Sequence, residues 1–314
     1  MKILFITNKW LNEYNSPTAS QYDNIVYTFA KDVPECEYDI LSLDESAFIY
    51  SQHIDTAIKR YCSHFNFDIV IIIRLGISEL NPTIECIQYL KDLGKYVCFF
   101  WLDTNPWDVE YQRQYKDLID LNVSWDVPSH NGQLYKNPDS NQLSLWTPES
   151  NLVFYPSEQV IPVSFVGSLR YNKRAEYISF AKSQIPELKL AGGQREDNLS
   201  TFSYGEIIRS SKININFPQH GMGYEQSKGR VFQAIASKSL LLENANASTR
   251  SVLTPNKDYV EFDTKEDLCD KIKYYLSHEK EREIIASQGH ETYLKKYTSK
   301  IFWQTVMSKI HATT

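Results

Sequence analysis

Short apolar runs recur along most of the chain, separated by stretches whose apolar residues have helical spacing. The run at residues 69–73 is apolar throughout, which is typical of a strand covered on both faces. Because strands that alternate with helices form βαβ units, the pattern predicts an α/β fold with parallel sheets. The predicted strands occupy residues 3–6, 38–43, 68–73, 96–102, 164–167, 188–190, 213–217, 240–242 and 259–262.

A change in composition between residues 128 and 162, from alternating apolar and helical segments to turn-forming residues, predicts a domain junction. This segment is rich in proline, asparagine, serine and other turn formers. With 314 residues, the chain has room for two domains of ordinary size. The predicted domains are residues 1–154 and 155–296. Residues 297–314 follow as a final helix, whose apolar residues, Phe302 and Val306 among them, must pack on another element.

The composition excludes several classes of protein. Apolar content of 42% and charged content of 23% are typical of a soluble globular protein, and no run approaches the roughly 18 apolar residues of a membrane span. A net charge of −6 disfavours a general nucleic-acid partner. The five cysteines are widely spaced, with no Cys-x-x-Cys pair, which disfavours disulfides and metal sites. We therefore expect a protein of the reducing cytoplasm.

The most informative segment is residues 223–243, which reads as a loop, a helix of about three turns and a short apolar strand. Lys228 and Arg230 lie at the start of the predicted helix, where the macrodipole disfavours cations. A helix start with two added cations is suited to bind an anion, most simply a phosphate. The alternative is that both are solvated surface cations. Glu225 and Gln233 lie eight positions apart and bracket this basic pair.

A second candidate phosphate contact follows the strand predicted at residues 164–167. Gly167 ends this strand and allows the backbone to approach a ligand closely. Arg170 and Lys173 come next, where their charges can meet a phosphate. The alternative is an ordinary solvated helix start. A dinucleotide dehydrogenase is disfavoured because no Gly-x-Gly-x-x-Gly follows the first strand.

Two residues are candidates for catalysis. Asp103 follows a predicted strand and is either a general base or a cap of the turn before Pro106. His220 stands between a predicted strand and a glycine-rich loop whose backbone is unusually free, which favours contact with a ligand.

These segments together carry a family resemblance. Residues 160–312 resemble the C-terminal domain of GT-B glycosyltransferases, in particular the spore-maturation-type and family 4-like branch. The resemblance lies in Val-Ser-Phe-Val-Gly-Ser-Leu-Arg at 163–170, in Lys-Gly-Arg-Val-Phe-Gln-Ala-Ile-Ala at 228–236, in Leu-Leu-Leu-Glu at 240–243 and in the closing pattern from 263 to 297. It implies two Rossmann-like domains facing a cleft, with the C-terminal helix crossing back to the first domain.

The resemblance also implies roles for individual residues. Gly167 is expected at a tight turn beside the donor phosphates, with Arg170 and Lys173 near the pyrophosphate. Glu225 takes the first position of the family's glutamate-x7-glutamate motif, near the donor sugar. Gln233 takes the second, where the family has a glutamate that accepts hydrogen bonds from the ribose hydroxyls. An amide lacks that charge and adds an N–H₂ donor, so the chain departs from the family here.

The implied function is transfer of a sugar from a nucleoside-diphosphate sugar, with no cofactor beyond this donor. There is no Asp-x-Asp triplet to hold a metal, so Lys228 and Arg230 are expected to stabilise the leaving diphosphate without one. The resemblance favours retention over inversion of the anomeric centre. The acceptor stays open, and cell-surface glycans and their lipid-linked precursors are among the candidates. Two alternatives are a nucleotide-sugar epimerase of the same fold and a non-catalytic binding protein, which Gln233 favours.

Overall fold

A computed structural model gives the structure of the protein. It describes residues 1–10, 16–50, 53–74, 80–102, 114–115, 117–126, 128–130, 133–134, 141–169, 172–192, 199–218, 224–227 and 229–313. The chain divides into two compact units. The first comprises Met1–Asp126, Lys136–Pro148 and Ser299–Thr314, and the second comprises Val127–Tyr135 and Glu149–Thr298. The domain boundaries expected from sequence, after residues 154 and 296, stay predictions.

The first unit is built on a parallel sheet of six strands in the order β2-β1-β3-β4-β5-β8. Its strands are β1 (Lys2–Thr7), β2 (Glu37–Ser42), β3 (Ile69–Arg74), β4 (Tyr96–Trp101), β5 (Leu121–Ser124) and β8 (Gln142–Ser144). Its described helices are α1 (Ser20–Asp32), α2 (Leu43–Tyr50), α3 (Ile54–His64), α4 (Ile84–Asp92) and α11 (Ser299–His311).

The last helix, α11, supplies part of the core of the first unit. Trp303 is fully buried, and its ring meets Phe5 of β1 and Phe29 of α1 edge to face at 6.0 and 4.9 Å. Its indole N–H donates to the Thr28 hydroxyl at 2.8 Å, so the polar atom of this large ring is satisfied inside the core. The predicted return of the C-terminal helix to the first domain is confirmed.

The second unit is built on a parallel sheet of five strands in the order β10-β9-β11-β13-β14. Its strands are β9 (Ile161–Val166), β10 (Leu188–Ala191), β11 (Ser211–Asn216), β13 (Leu240–Asn244) and β14 (Val260–Phe262). A small antiparallel sheet joins β6 (Pro128–His130), β7 (Gln133–Leu134) and β12 (Tyr224–Gln226). The helices described in this unit are α5 (Asn172–Gln184), α6 (Thr201–Arg209), α7 (Gly229–Ala236), α8 (Ala247–Val252), α9 (Lys265–Ser277) and α10 (Glu279–Lys296).

The structure confirms the α/β class and each strand predicted above, and it corrects two details. The segment interpreted as a turn-rich junction contains the short strands β6, β7 and β8, the segment interpreted as a loop before α7 contains β12, and β5 was not singled out. Strands of two to four residues are too short for a periodic pattern. Helix α7 has 8 residues, about two turns rather than three. It stops there because Lys238 turns the chain into β13 with φ of 55°.

Within the described residues, no helix combines the length and the apolar character that crossing a membrane requires.

A substitution at Gly289 tests how tightly α10 packs on the rest of the second unit. A Cβ atom there would lie 2.4 Å from the Asp258 carbonyl oxygen and 3.1 Å from Ile235 Cγ2. Alanine normally stabilises a helix interior relative to glycine by about 0.5–1 kcal/mol. At this site we expect Gly289→Ala to destabilise the fold by about 1–3 kcal/mol, because backbone must move. Urea denaturation measures the change.

The matched control for this substitution is Glu283→Ala on the exposed face of the same helix, which should leave stability nearly unchanged. An alanine at position 289 that is as stable as glycine would contradict the packing described here.

Candidate functional site

The carboxyl ends of β9 and β11 form the natural ligand position of the second unit. From β9 the chain winds to β10 on one side and then returns past β9 to β11 on the other, as the strand order records. In open parallel sheets, ligands bind where the winding reverses, outside the carboxyl ends of the two strands. Gly167 directly follows β9 and Asn216 ends β11, so both residues lie at this position.

The guanidinium of Arg230 spans these two strand ends. Its Nε donates to the Asn216 Oδ1 at 2.8 Å, and its Nη1 donates to the Val166 carbonyl oxygen at 3.0 Å. Arg230 is the second residue of α7, so the free N–H groups of the helix start lie nearby. The structure therefore places a fixed cation and a helix N-terminus together at the point where the winding reverses.

Gly167 leaves room for this arginine. Its φ is 152°, a conformation that other residues rarely adopt, and a Cβ atom there would lie 2.7 Å from Arg230 Nη1. Any larger side chain would displace the guanidinium. The lack of a side chain at Gly167 therefore makes room for the guanidinium. This fits the sequence-based expectation that the backbone at this glycine can approach a ligand closely.

Glu243 of β13 lies buried near Arg230 with no exposed surface. Burial raises the pKa of this carboxyl to about 8, although Asn216 and the Arg230 charge act in the opposite direction. The Asn246 amide donates to Glu243 Oε1 at 3.1 Å. Burial thus favours the uncharged form of this carboxyl, which competes less than a carboxylate would for the positive charge of Arg230.

Two further cations lie at the start of α5. Lys173 Nζ donates to the Asn244 Oδ1 at 3.1 Å, which brings its charge to the end of β13 beside Glu243. Arg174 is only 6% exposed; its guanidinium donates to the Ser168 carbonyl at 3.0 Å and to the Phe217 carbonyl at 3.3 Å. The Lys173 ammonium therefore lies at the carboxyl edge of the sheet, where it can meet an anion. The Arg174 guanidinium instead connects the segments that follow β9 and β11.

Glu225 lies on β12, which is fixed on both sides. The strand pairs with β6, opposite Ser129, and the Gln226 N–H donates to the Pro218 carbonyl beyond the end of β11 at 3.2 Å. Ser248 donates its hydroxyl to the Glu225 carbonyl at 3.1 Å. The Glu225 side chain is half-buried.

Gln233 makes hydrogen bonds through both atoms of its amide. The Tyr204 hydroxyl donates to Gln233 Oε1 at 2.5 Å, and Gln233 Nε2 donates to Glu149 Oε1 at 2.8 Å. Gln233 is 8% exposed and Glu149 1% exposed. Burial raises the pKa of the Glu149 carboxyl to about 8, and the hydrogen bond from Gln233 opposes that rise. The amide therefore belongs to a buried hydrogen-bond chain between α6, α7 and the start of the second unit.

The structure brings Gly167, Lys173 and Arg230 to one edge of the second sheet, with Gln233 one turn further along α7 from Arg230. Four candidate residues lie outside the described residues: Asp103, Arg170, His220 and Lys228.

Sequence reasoning missed four polar residues that the structure adds to the site: Asn216, Glu243, Tyr204 and Glu149. The first two had a signal, since Asn216 ends β11 and Glu243 directly follows the apolar run at residues 240–242. Tyr204 and Glu149 had none, because neither stands in a recognisable pattern. Within the described residues, no group of three His, Cys, Asp or Glu side chains comes together to hold a metal ion.

Comparison with known proteins gives the family. The model of the glycosyl transferase-like family matches residues 152–308, half of the chain. No curated protein is significantly similar to the chain in sequence.

Solved structures share the fold over the whole chain. Sucrose-phosphate synthase from Thermosynechococcus elongatus matches with a TM-score of 0.68 and 11% identity, covering all of both chains. HepE from Anabaena, in complex with UDP and glucose, matches with a TM-score of 0.64 and 6% identity, covering 99% of this chain and 100% of HepE. A glycosyltransferase from Rickettsia africae matches with a TM-score of 0.58 and 10% identity over 98% of this chain and 97% of its own. The chain belongs to the glycosyl transferase-like family and has the GT-B fold.

Proposed function

We propose that this protein transfers a sugar from a nucleoside-diphosphate sugar to an acceptor, without a metal ion. The observation that carries the proposal is the Arg230 guanidinium, held across the ends of β9 and β11. Within the described residues, its hydrogen-bond partners at these two strand ends are neutral oxygens, and burial favours the uncharged form of the nearby Glu243 carboxyl. Such a cation can bind the donor diphosphate directly.

The same residues fit the chemistry of the transfer. The bond between the anomeric carbon and the diphosphate oxygen breaks, and its electron pair leaves with the diphosphate. A bond forms to an oxygen of the acceptor, which loses its proton. The growing negative charge falls beside Arg230, Lys173 and the N-terminus of α7, which are already in place and need no reorganisation. These groups supply the role that a divalent cation has in metal-dependent transferases.

Glu225 is the described candidate for contact with the donor sugar. Its strand leads directly into the start of α7, so a sugar joined to a diphosphate beside Arg230 would lie within reach of this segment. We propose retention of the anomeric configuration, in which the leaving diphosphate accepts the acceptor proton. Asp103 and His220 stay predictions as catalytic residues, since they lie outside the described residues.

The nature of the donor is tested by thermal denaturation with UDP, GDP, TDP and CMP, each with and without EDTA. A ligand that binds only the folded state at 100 times its Kd stabilises the protein by about 2.7 kcal/mol, which raises Tm by several degrees. We expect one nucleoside diphosphate to give this shift and EDTA to leave it unchanged. Loss of the shift in EDTA would contradict metal independence. No shift with any nucleotide would contradict the transferase proposal.

Turnover then separates transfer from epimerisation. An epimerase converts the donor sugar with no acceptor present, whereas a transferase releases its nucleoside diphosphate at a rate that rises with acceptor concentration.

The diphosphate contacts are tested by Arg230→Ala and Lys173→Ala. Each should weaken binding of the nucleoside diphosphate by about 1–3 kcal/mol, because each removes a charge-assisted hydrogen bond. Isothermal titration calorimetry measures the affinity. Arg230→Lys is a further variant, which keeps the positive charge but cannot bridge the ends of β9 and β11 as the guanidinium does. Lys257→Ala is the matched control, since this lysine is exposed and away from the carboxyl edge. Unchanged affinity in both alanine variants would contradict the site.

A further inference from the structure

A directional hydrogen-bond chain runs from the proposed donor site into the interior of the second unit. The Arg230 guanidinium lies close enough to the Tyr204 hydroxyl to oppose the rise in its pKa that burial causes. Tyr204 donates to Gln233 Oε1, and Gln233 Nε2 donates to Glu149 Oε1. The chain therefore links the cation at the end of the sheet to a buried carboxyl.

The amide of Gln233 carries both groups that this arrangement uses, an acceptor for Tyr204 and a donor for Glu149. It must accept from Tyr204 on one side and donate to Glu149 on the other, and a carboxylate has no donor for the second bond. A glutamate at position 233 would bring two carboxyl groups into contact inside the protein, where they cannot both ionise. The identity of residue 233 is thus coupled to the acid at position 149.

The direction of these hydrogen bonds allows Glu149 to affect the orientation of the group that faces Arg230. If the Gln233 amide is fixed by Glu149, its oxygen points at Tyr204 and the Tyr204 proton is directed toward that oxygen. The lone pairs of the hydroxyl are then left for the guanidinium of Arg230. Without Glu149, the amide is free to turn and the hydroxyl loses its defined orientation.

We propose that Glu149 is a positioning residue of the donor site, which acts through Gln233 and Tyr204 to hold the Arg230 guanidinium across the ends of β9 and β11. This proposal rests on the proposed function, since it takes Arg230 as a ligand of the donor diphosphate. Glu149 itself is 1% exposed, which leaves almost no surface for direct contact with a ligand.

The test exchanges the two partners. It compares the wild type with Q233E, E149A, E149Q and the exchanged double variant E149Q/Q233E, in which an amide at 149 donates to a carboxylate at 233. Calorimetry measures the affinity for UDP, or for GDP if the wild type prefers it, and for the corresponding nucleoside without phosphate. Tm is recorded for every chain.

We expect Q233E and E149A each to weaken nucleoside-diphosphate binding by tenfold or more, and E149A to change nucleoside binding less than threefold. The conservative E149Q keeps an acceptor for Gln233, so its affinity should stay within threefold of the wild type. The exchanged double variant should recover most of the loss in Q233E. A purely structural role would weaken nucleoside and nucleoside-diphosphate binding together.

Two results overturn the proposal and are distinct from failure of the proposed function. One is unchanged diphosphate affinity in both Q233E and E149A. The other is an exchanged double variant that binds no better than Q233E. If instead the wild type binds no nucleoside diphosphate, the proposed function fails and the positioning role fails with it.

The pH dependence of stability gives a second readout of the Glu149–Gln233 pair. Since the pKa of Glu149 is raised from 4.5 to about 8 in the folded state, folding favours its protonated form. Its contribution to stability is complete below about pH 4.5 and is lost progressively as the pH rises to about 8. Among the residues that the structure describes, the ionisable groups near Glu149 are Tyr204 of α6 and Tyr293 of α10, whose hydroxyl lies 3.5 Å from the Glu149 carbonyl oxygen, with Arg230 of α7 beyond Tyr204.

We therefore expect Tm of the wild type to fall relative to that of E149Q between pH 5 and pH 8. Glu243 gives the same trend in both chains, so the measured quantity is the difference between them. A difference that does not change with pH would mean that Glu149 is ionised in the folded protein, and would overturn the arrangement of a buried neutral acid on Gln233.

Discussion

The candidate site depends on one arginine that bridges two strand ends. The Arg230 guanidinium donates hydrogen bonds to the Val166 carbonyl oxygen at the end of β9 and to the Asn216 amide oxygen at the end of β11. It fits there only because Gly167 has no side chain. A parallel sheet whose winding reverses leaves a crevice at this point, and the arginine turns that crevice into a fixed positive site.

Buried acids keep this positive charge effective. Glu149 and Glu243 both lie in the interior of the second unit, and burial raises the pKa of each to about 8. A charged carboxylate beside Arg230 would form a closed ion pair and compete with any anionic ligand. A neutral carboxyl instead serves as a hydrogen-bonding group that shapes the site. Burial of the acids therefore gives the site its polar framework while leaving its charge for a ligand.

Gln233 illustrates how a departure from a family pattern can have a local cause. Judged by the motif alone, an amide in place of a glutamate suggests a lost function. In the structure, that amide accepts from Tyr204 and donates to Glu149, which a carboxylate cannot do. The departure is thus matched by an acid elsewhere in the chain, and it is no evidence by itself against an active transferase.

The sequence alone determined the α/β class, the positions of nine strands and the cationic segment that contains Arg230, because each is written in a local pattern of neighbouring residues. The return of the last helix followed from the family resemblance. Only the tertiary structure decided what those residues contact. Gln233 meets Tyr204 from 29 residues away and Glu149 from 84 residues away, and Arg174 becomes a buried brace between two loops. These contacts form because elements that are distant in the sequence pack against one another. The raised pKa values of the two acids result from burial in that packed interior. Neither the contacts nor the pKa values can therefore be read from the order of the residues.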